Sequence, residues 1–385
     1  MGSSYSLADY GVMIVDRLRT DAYARALRQA VEPGAIVVDI GTGTGGLACL
    51  ACQYGAKKVY AIEPDDAIEV AREVASANGF ADRIQFIQEL SPQVTLPEQA
   101  DVIVSDLGGV LPLFQHHIPS IIDARSRFLK RGGTLIPRRE VIWVAAAAAP
   151  ELYERHVTPW ERNGYGLDMQ VARRIGTNEW RKCRARPHQL LLEPRRWTTL
   201  DFPTIDRADV SGELSWSVST AGTAHGLILW FDADLGHDIG FSNAPGAPEI
   251  IYGQAFFPWS HPVTLAVGDT VSVSLKAALV AEDYVWCWDT RVLDGSGAGW
   301  TKADFRQSTF FGVPLSPSKL AKRSADYIPS LTEAGRVDRL VLESLDAHMP
   351  LGHIADQALA RFPNRFASWE EAMTRVAELS AKYSQ

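Results

Sequence analysis

Val37-Val38-Asp39-Ile40-Gly41-Thr42-Gly43-Thr44-Gly45-Gly46 reads as a buried strand running into a glycine-rich turn, which Leu47-Ala48-Cys49-Leu50-Ala51-Cys52 continues as an apolar helix. Glycines there let the backbone approach a ligand closely, beside the free N–H groups of a helix start. About twenty residues further on, Val59-Tyr60-Ala61-Ile62-Glu63 is a second strand that ends in a carboxylate, the spacing that suits an acid gripping the two hydroxyls of a ribose. Strand, glycine loop, helix, strand and acid together predict a site for an adenosine-containing cofactor.

Outward from this unit, strand patterns recur at 36–40, 58–62, 84–87, 101–105 and 133–136 with helical patterns between them. That alternation predicts an α/β doubly wound, Rossmann-like domain over residues 34–140. Residues 1–33 read as a helical segment closed by Pro33-Gly34. Past Pro137 the pattern changes to short alternating or apolar runs at 141–144, 213–218, 226–232 and 270–280, punctuated by Gly, Pro and Asp. These predict an antiparallel β-barrel or sandwich over 141–312. A proline-marked break at Val313-Pro314-Leu315-Ser316-Pro317 opens a small C-terminal helical module, 313–385, with helices near 334–347, 351–361 and 368–382. Three short helices suit a winged-helix-like or peptide-docking module, or a packing appendage.

Composition bounds what such a chain does. At 385 residues it exceeds one ordinary core, and 46% hydrophobic with 22% charged residues is globular. A net charge of −8 offers no general attraction to nucleic acid or an anionic membrane. No apolar run approaches the roughly 20 residues needed to span a bilayer, and without a basic-then-apolar leader pattern a cytoplasmic location is expected. Four cysteines are too few for a disulfide framework. Cys49 and Cys52 form a C-x-x-C, but inside the apolar helix, where core packing is expected rather than redox or metal chemistry. No metal site is expected.

The loop has the form D-x-G-x-G-x-G, not the G-x-G-x-x-G that lays a pyrophosphate on a helix end. With Val102-Ile103-Val104-Ser105-Asp106-Leu107-Gly108-Gly109 and the Lys130-Arg131-Gly132-Gly133 turn before Thr134-Leu135-Ile136-Pro137, it points to S-adenosylmethionine rather than a nicotinamide cofactor. The chain resembles the protein arginine methyltransferase family over roughly residues 5–290. The resemblance rests on Tyr10-Gly11 with Asp16-Arg17-Leu18-Arg19-Thr20, on Asp39 to Gly45, on Glu63, and on Trp160-Glu161-Arg162-Asn163-Gly164-Tyr165-Gly166-Leu167-Asp168-Met169. It implies that Asp39, Gly41, Thr42, Gly43, Gly45, Glu63 and Pro64 cradle the cofactor, with Arg19 on its methionine carboxylate. It also implies head-to-tail homodimers.

The acceptor loop departs from the family. Its S-E-x-x-G, followed later by a second glutamate, is here Ser105-Asp106-Leu107-Gly108-Gly109 with Gln115 at the second position, and the T-H-W loop is replaced by Ile250-Ile251-Tyr252-Gly253-Gln254, without its histidine. Paired carboxylates neutralise and orient a guanidinium, and losing one from a buried site costs roughly 3–5 kcal/mol. Asp106, Gln115, His116 and His117 are therefore the catalytic candidates, with a histidine as general base. Tyr5, Tyr10 and Trp160 are candidate pocket-lining aromatics. The expected function is N- or O-methyl transfer to a peptide or small-molecule biosynthetic intermediate. The alternatives are a guanidino acceptor with an acid elsewhere replacing the lost glutamate, and a non-catalytic cofactor-binding scaffold.

Overall fold

The computed structural model describes residues 5–384 except 163, 297 and 298, so Asn163 of the Trp160–Met169 string lies outside the described residues. Contacts divide the chain into a unit that runs through Pro314 and a second that begins at Leu315.

The first unit opens with helices α1 (Leu7–Val15) and α2 (Arg17–Ala30). Ser6 and Asp9 start α1 as a reciprocal capping box. Then come β1 (Ile36–Ile40), α3 (Gly46–Gln53), β2 (Lys58–Ile62), α4 (Ala67–Ala77), β3 (Ile84–Ile87), β4 (Ala100–Ser105), α5 (His117–Phe128) and β5 (Leu129–Ile136). The five strands form a parallel sheet in the order β3-β2-β1-β4-β5. The order reverses between β1 and β4, so a crevice opens at the carboxyl ends of those two strands, where open α/β sheets bind ligands. The Lys130–Gly133 stretch, read as a turn, is instead the irregular first half of β5, and the sheet register shifts there. Cys49 and Cys52 lie on α3 and pack into or against the core, and burial pushes the Cys52 thiol up to about 11.

From β6 (Arg139–Ala147) the unit is mostly antiparallel: α6 (Pro150–His156), α7 (Gln170–Gly176), β7 (Arg181–Cys183), β8 (Arg195–Asp201), β9 (Val210–Ser217), β10 (Gly222–Gly236), β11 (Ile239–Ser242), β12 (Gln254–Leu265), β13 (Thr270–Val280), β14 (Asp283–Leu293) and β15 (Thr301–Phe305). One sheet runs β7-β12-β10-β6-β8 with β11 added to β10, and the other runs β15-β14-β13-β9. Their faces meet through Phe257 and Trp259 of β12 against Trp286, Trp288 and Phe305. Trp259, Trp286 and Trp288 are fully buried, so truncating one to alanine costs roughly 3–5 kcal/mol. The near-continuous apolar run of β6 has a direct cause. Ile142, Val144 and Ala146 face the main core, while Ala145 and Ala147 face a second cluster with Leu152 and Tyr153 of α6. Trp160 is 38% exposed and abuts Gly176 at the end of α7, so it lines no pocket at the sheet switch point.

The second unit contains α8 (Pro317–Ala321), α9 (Glu333–Asp346), α10 (Leu351–Arg361) and α11 (Trp369–Tyr383). The last three share a core of Val337, Val341, Ile354, Ala355, Ala358, Phe366, Val376 and Leu379. No strand accompanies them among the described residues, so the unit is all-helical without a wing. Among the described residues no helix is long and apolar enough to cross a membrane.

Candidate active site

β1 and β2 deliver the glycine loop and its acids to the crevice. The amides of Gly41 and Thr42 both donate to Ile62 O, turning the chain away from β1. Gly43 stands at φ +52, and a Cβ there would lie 2.6 Å from the Tyr10 ring of α1; only glycine fits a positive φ beneath an aromatic lid. Gly45 is the left-handed N-cap of α3. Asp39 is buried and accepts from Thr42 Oγ1 at 2.6 Å. Burial pushes its carboxyl up to about 7, against the opposing bonds from Thr42 and the Ala48 amide. Its second oxygen, Oδ1, has no partner among the described residues. Glu63 accepts from the amides of Gly43 (2.9 Å) and Asp65 (3.1 Å). Burial raises its carboxyl, and those two amides pull it back. Pro64 follows on the surface.

β4 ends at Ser105 and presents Asp106. Three side chains from two distant segments converge on that carboxylate. Arg19 of α2, 8% exposed, pairs with Oδ2 through Nη1 and donates from Nη2 to Met13 O at 2.6 Å. Tyr252 Oη donates to Oδ1 at 2.6 Å. Tyr23 Oη shares its proton between Oδ1 (3.3 Å) and Ser105 O (3.2 Å). Burial raises both phenols far above their ordinary range, and the Arg19 charge lowers them in part, so both remain protonated donors. Arg19 and Tyr23 reach one point because residues four apart share a helix face.

The loop that carries Tyr252 is tied down on every side. Asp16, the N-cap residue of α2, accepts from the Ile251 amide at 2.8 Å. Lys182 Nζ donates to Ile251 O at 2.7 Å and Arg184 Nη1 to Ile250 O at 2.5 Å. Asn243 bonds Gly253 O. Burial and the nearby Arg184 charge lower the Lys182 ammonium.

The other predicted residues of the acceptor loop go elsewhere. Gln115 is exposed at φ +42. His116 is exposed, with Nε2 3.4 Å from Glu282. His117 is buried, with Nδ1 3.0 Å from Pro112 O and its ring against Phe202. Burial lowers its imidazole to about 4, which keeps it neutral. None of the three hydrogen-bonds to Asp106, because the chain turns at Gln115 to start α5 and carries them away from the crevice. Sequence reasoning passed over Tyr23, Asp16 as a loop anchor, and Glu140. The helical spacing from Arg19 was the available signal for Tyr23. For Glu140 it was an acid at the face position shared by Ile142 and Val144 on an otherwise apolar strand.

Residues 139–285 match the arginine methyltransferase oligomerization subdomain, and residues 20–138 match the family described as ribosomal protein L11 methyltransferase (PrmA). The fold is shared with a chain of the Trypanosoma brucei PRMT1 enzyme-prozyme complex with AdoHcy, at TM-score 0.71 and 21% identity over 78% of this chain and 97% of that one. Arabidopsis thaliana protein arginine methyltransferase 10 superposes at TM-score 0.67 and 25% identity over 79% and 97%. A probable protein arginine N-methyltransferase 6 of Arabidopsis thaliana is 32% identical over 60% of this chain, which spans only 56% of that relative's length. The protein arginine N-methyltransferase PRMT10 of Oryza sativa subsp. japonica is 30% identical over 71% of this chain and 81% of its own length. On that extent of shared sequence, the chain belongs to the protein arginine N-methyltransferase family.

Proposed function

We propose that the chain is an S-adenosylmethionine-dependent methyltransferase that acts at Asp106 on a nitrogen or oxygen of a peptide or small-molecule acceptor. One observation carries this reading: Asp106, held by Arg19, Tyr23 and Tyr252, stands at the same sheet switch point as the Asp39–Gly45 loop and Glu63. The loop residues fit the cofactor. Side chains at Gly41 and Gly43 would strike Leu107 and Tyr10. Buried Asp39 Oδ1 and Arg19 Nε have no hydrogen-bond partner among the described residues, Arg19 Nε lying 3.8 Å from the Asp16 carboxylate, and so suit a ligand that bears both an ammonium and a carboxylate. Glu63 would hold the ribose hydroxyls and Arg19 the carboxylate. Bound there, the cofactor supplies a sulfonium methyl that a free lone pair displaces.

The chain's own residues do the rest. Asp106 accepts a hydrogen bond from the acceptor N–H or O–H, orients the lone pair and takes the proton. The two phenols fix the carboxylate for that task. Self-association through the antiparallel region is supported by the subdomain match at 139–285.

A guanidino acceptor is the second reading. It is favoured by the family and by a buried carboxyl, Glu140, that acts electrostatically on both phenols. Calorimetry with S-adenosylhomocysteine on wild type and Glu63→Ala tests the cofactor site, and unchanged binding by the variant refutes it. Mass spectrometry of a peptide and metabolite pool then shows the gain of one methyl. Binding without any such gain marks a non-catalytic scaffold.

A further inference from the structure

We infer that Glu140 is the second carboxyl of the acceptor site, standing behind the Tyr23 and Tyr252 phenols, and that it determines whether a cationic nitrogen is held there. The inference rests on the transferase reading above and deepens it.

The position follows from register. Glu140 of β6 lies opposite Ala233 of β10, and Ile142 lies opposite Phe231. Directly opposed residues, and those two apart on one strand, share a sheet face. Glu140 is therefore on the face that carries Phe231, whose ring meets the rings of Tyr252 at 5.6 Å and Phe241 at 6.1 Å. Phe241 in turn packs against Tyr23 at 6.1 Å. Glu140 is 4% exposed, and its Oε2 has no hydrogen-bond partner among the described residues. A buried carboxyl oxygen without a hydrogen-bond partner is costly. Its charge bears on the two phenols that hold Asp106.

The groups around it can be named element by element. Helix α2 contributes Arg19 and Tyr23, the loop before β12 contributes Tyr252, and β4 presents Asp106 beyond the phenols. Opposite on β10 is Ala233, flanked by Asp232 and Asp234, which are engaged by Trp143 and Arg139. On β8 its partner is Leu200. Asp39 of β1 acts on the Tyr23 phenol, and Tyr5, just before α1, acts on that of Tyr252. Arg19 is already paired with Asp106, so an incoming cation meets one compensated carboxylate. Burial pushes the Glu140 carboxyl up to about 8. Protonated, it leaves the site with Asp106 alone. Ionised, it adds a second negative charge in a poorly screened interior, where charge acts over several ångströms. The loss of the family's second glutamate at Gln115 is thereby offset from the opposite wall.

The test is calorimetry on the full chain saturated with S-adenosylhomocysteine, with butylguanidinium as the cationic probe and butylurea as its uncharged counterpart. Butylguanidinium stays charged at both about pH 6.5 and about pH 9. Wild type should bind it about fivefold or more tightly at the higher pH, and butylurea equally at both. Glu140→Gln should abolish the gain, and Glu140→Asp, which keeps a carboxyl, should retain it. A gain that persists in Glu140→Gln overturns the inference. So does a wild type that shows none, or that binds no butylguanidinium at either pH. If Glu140→Gln fails to fold, Glu140→Met, which also removes the carboxyl, takes its place and should likewise abolish the gain. Failure of S-adenosylhomocysteine itself to bind would sink the transferase reading, which is a separate outcome.

Discussion

Tyr252 Oη donates to Asp106 Oδ1 across 2.6 Å, so the loop before a strand of the antiparallel region closes onto the carboxyl end of a parallel strand. The contact joins residues 146 apart in sequence. It gives Asp106 a donor where the family pattern has a tryptophan–histidine loop.

Removing that donor should slow the chemistry without loosening the cofactor. A hydrogen bond to a charged group contributes about 1.5–3 kcal/mol, so Tyr252→Phe should lower kcat by roughly 10- to 100-fold. Calorimetry with S-adenosylhomocysteine should give an unchanged Kd. An equal loss in both would mean the phenol is only packing.

Asp106→Asn should do more harm. It strands Arg19, a guanidinium that is 8% exposed, and breaking a buried pair from one side costs roughly 3–5 kcal/mol. Thermal unfolding should show a Tm several degrees lower, and methyl transfer should fall by roughly 100- to 5,000-fold on the same free-energy scale.

Stability should fall as pH rises, in part because of Glu140. Its folded-state carboxyl is raised from 4.5 to about 8. The associated stability is therefore fully present below the unfolded value and is lost as pH climbs through about 8. Asp39, raised from 3.8 to about 7, contributes in the same direction over a lower window. The Tm of Glu140→Gln should fall less than that of wild type between pH 5 and 8.5, values that bracket about 8. Parallel curves would contradict the assignment.

Gln115→Glu should change little. The side chain is exposed on a left-handed turn, where solvent screens a new charge. Affinity for butylguanidinium should move by less than about twofold. A larger gain would restore position 115 to the site and weaken the case for Glu140.

The parallel sheet was legible because local signals agree at each element. Apolar five-residue runs such as Val37–Ile40 and Val59–Ile62 are bounded by glycine or an acid, and helices of the right period separate them. The grouping of the glycine loop with its acids was legible for the same reason: Asp39, Gly43 and Glu63 are close in sequence and are brought together by one strand–helix–strand unit. The acceptor wall was not. Spacing along the loop suggested Gln115, His116 and His117, yet a left-handed residue at 115 turns them outward before α5 begins.

Residues within one or two turns, or on adjoining strands, meet because backbone geometry brings them together. The chain's order of residues was therefore enough for the parallel sheet, the glycine loop, its two acids and the antiparallel region after them. Tyr252, Tyr23 and Arg19 meet around Asp106 for another reason. An α2 face and a loop anchored by Asp16, Lys182 and Arg184 converge on the same strand end. Such convergence depends on which face of each element turns inward across separations of 83 to 146 residues. It exists only once the apolar faces have packed.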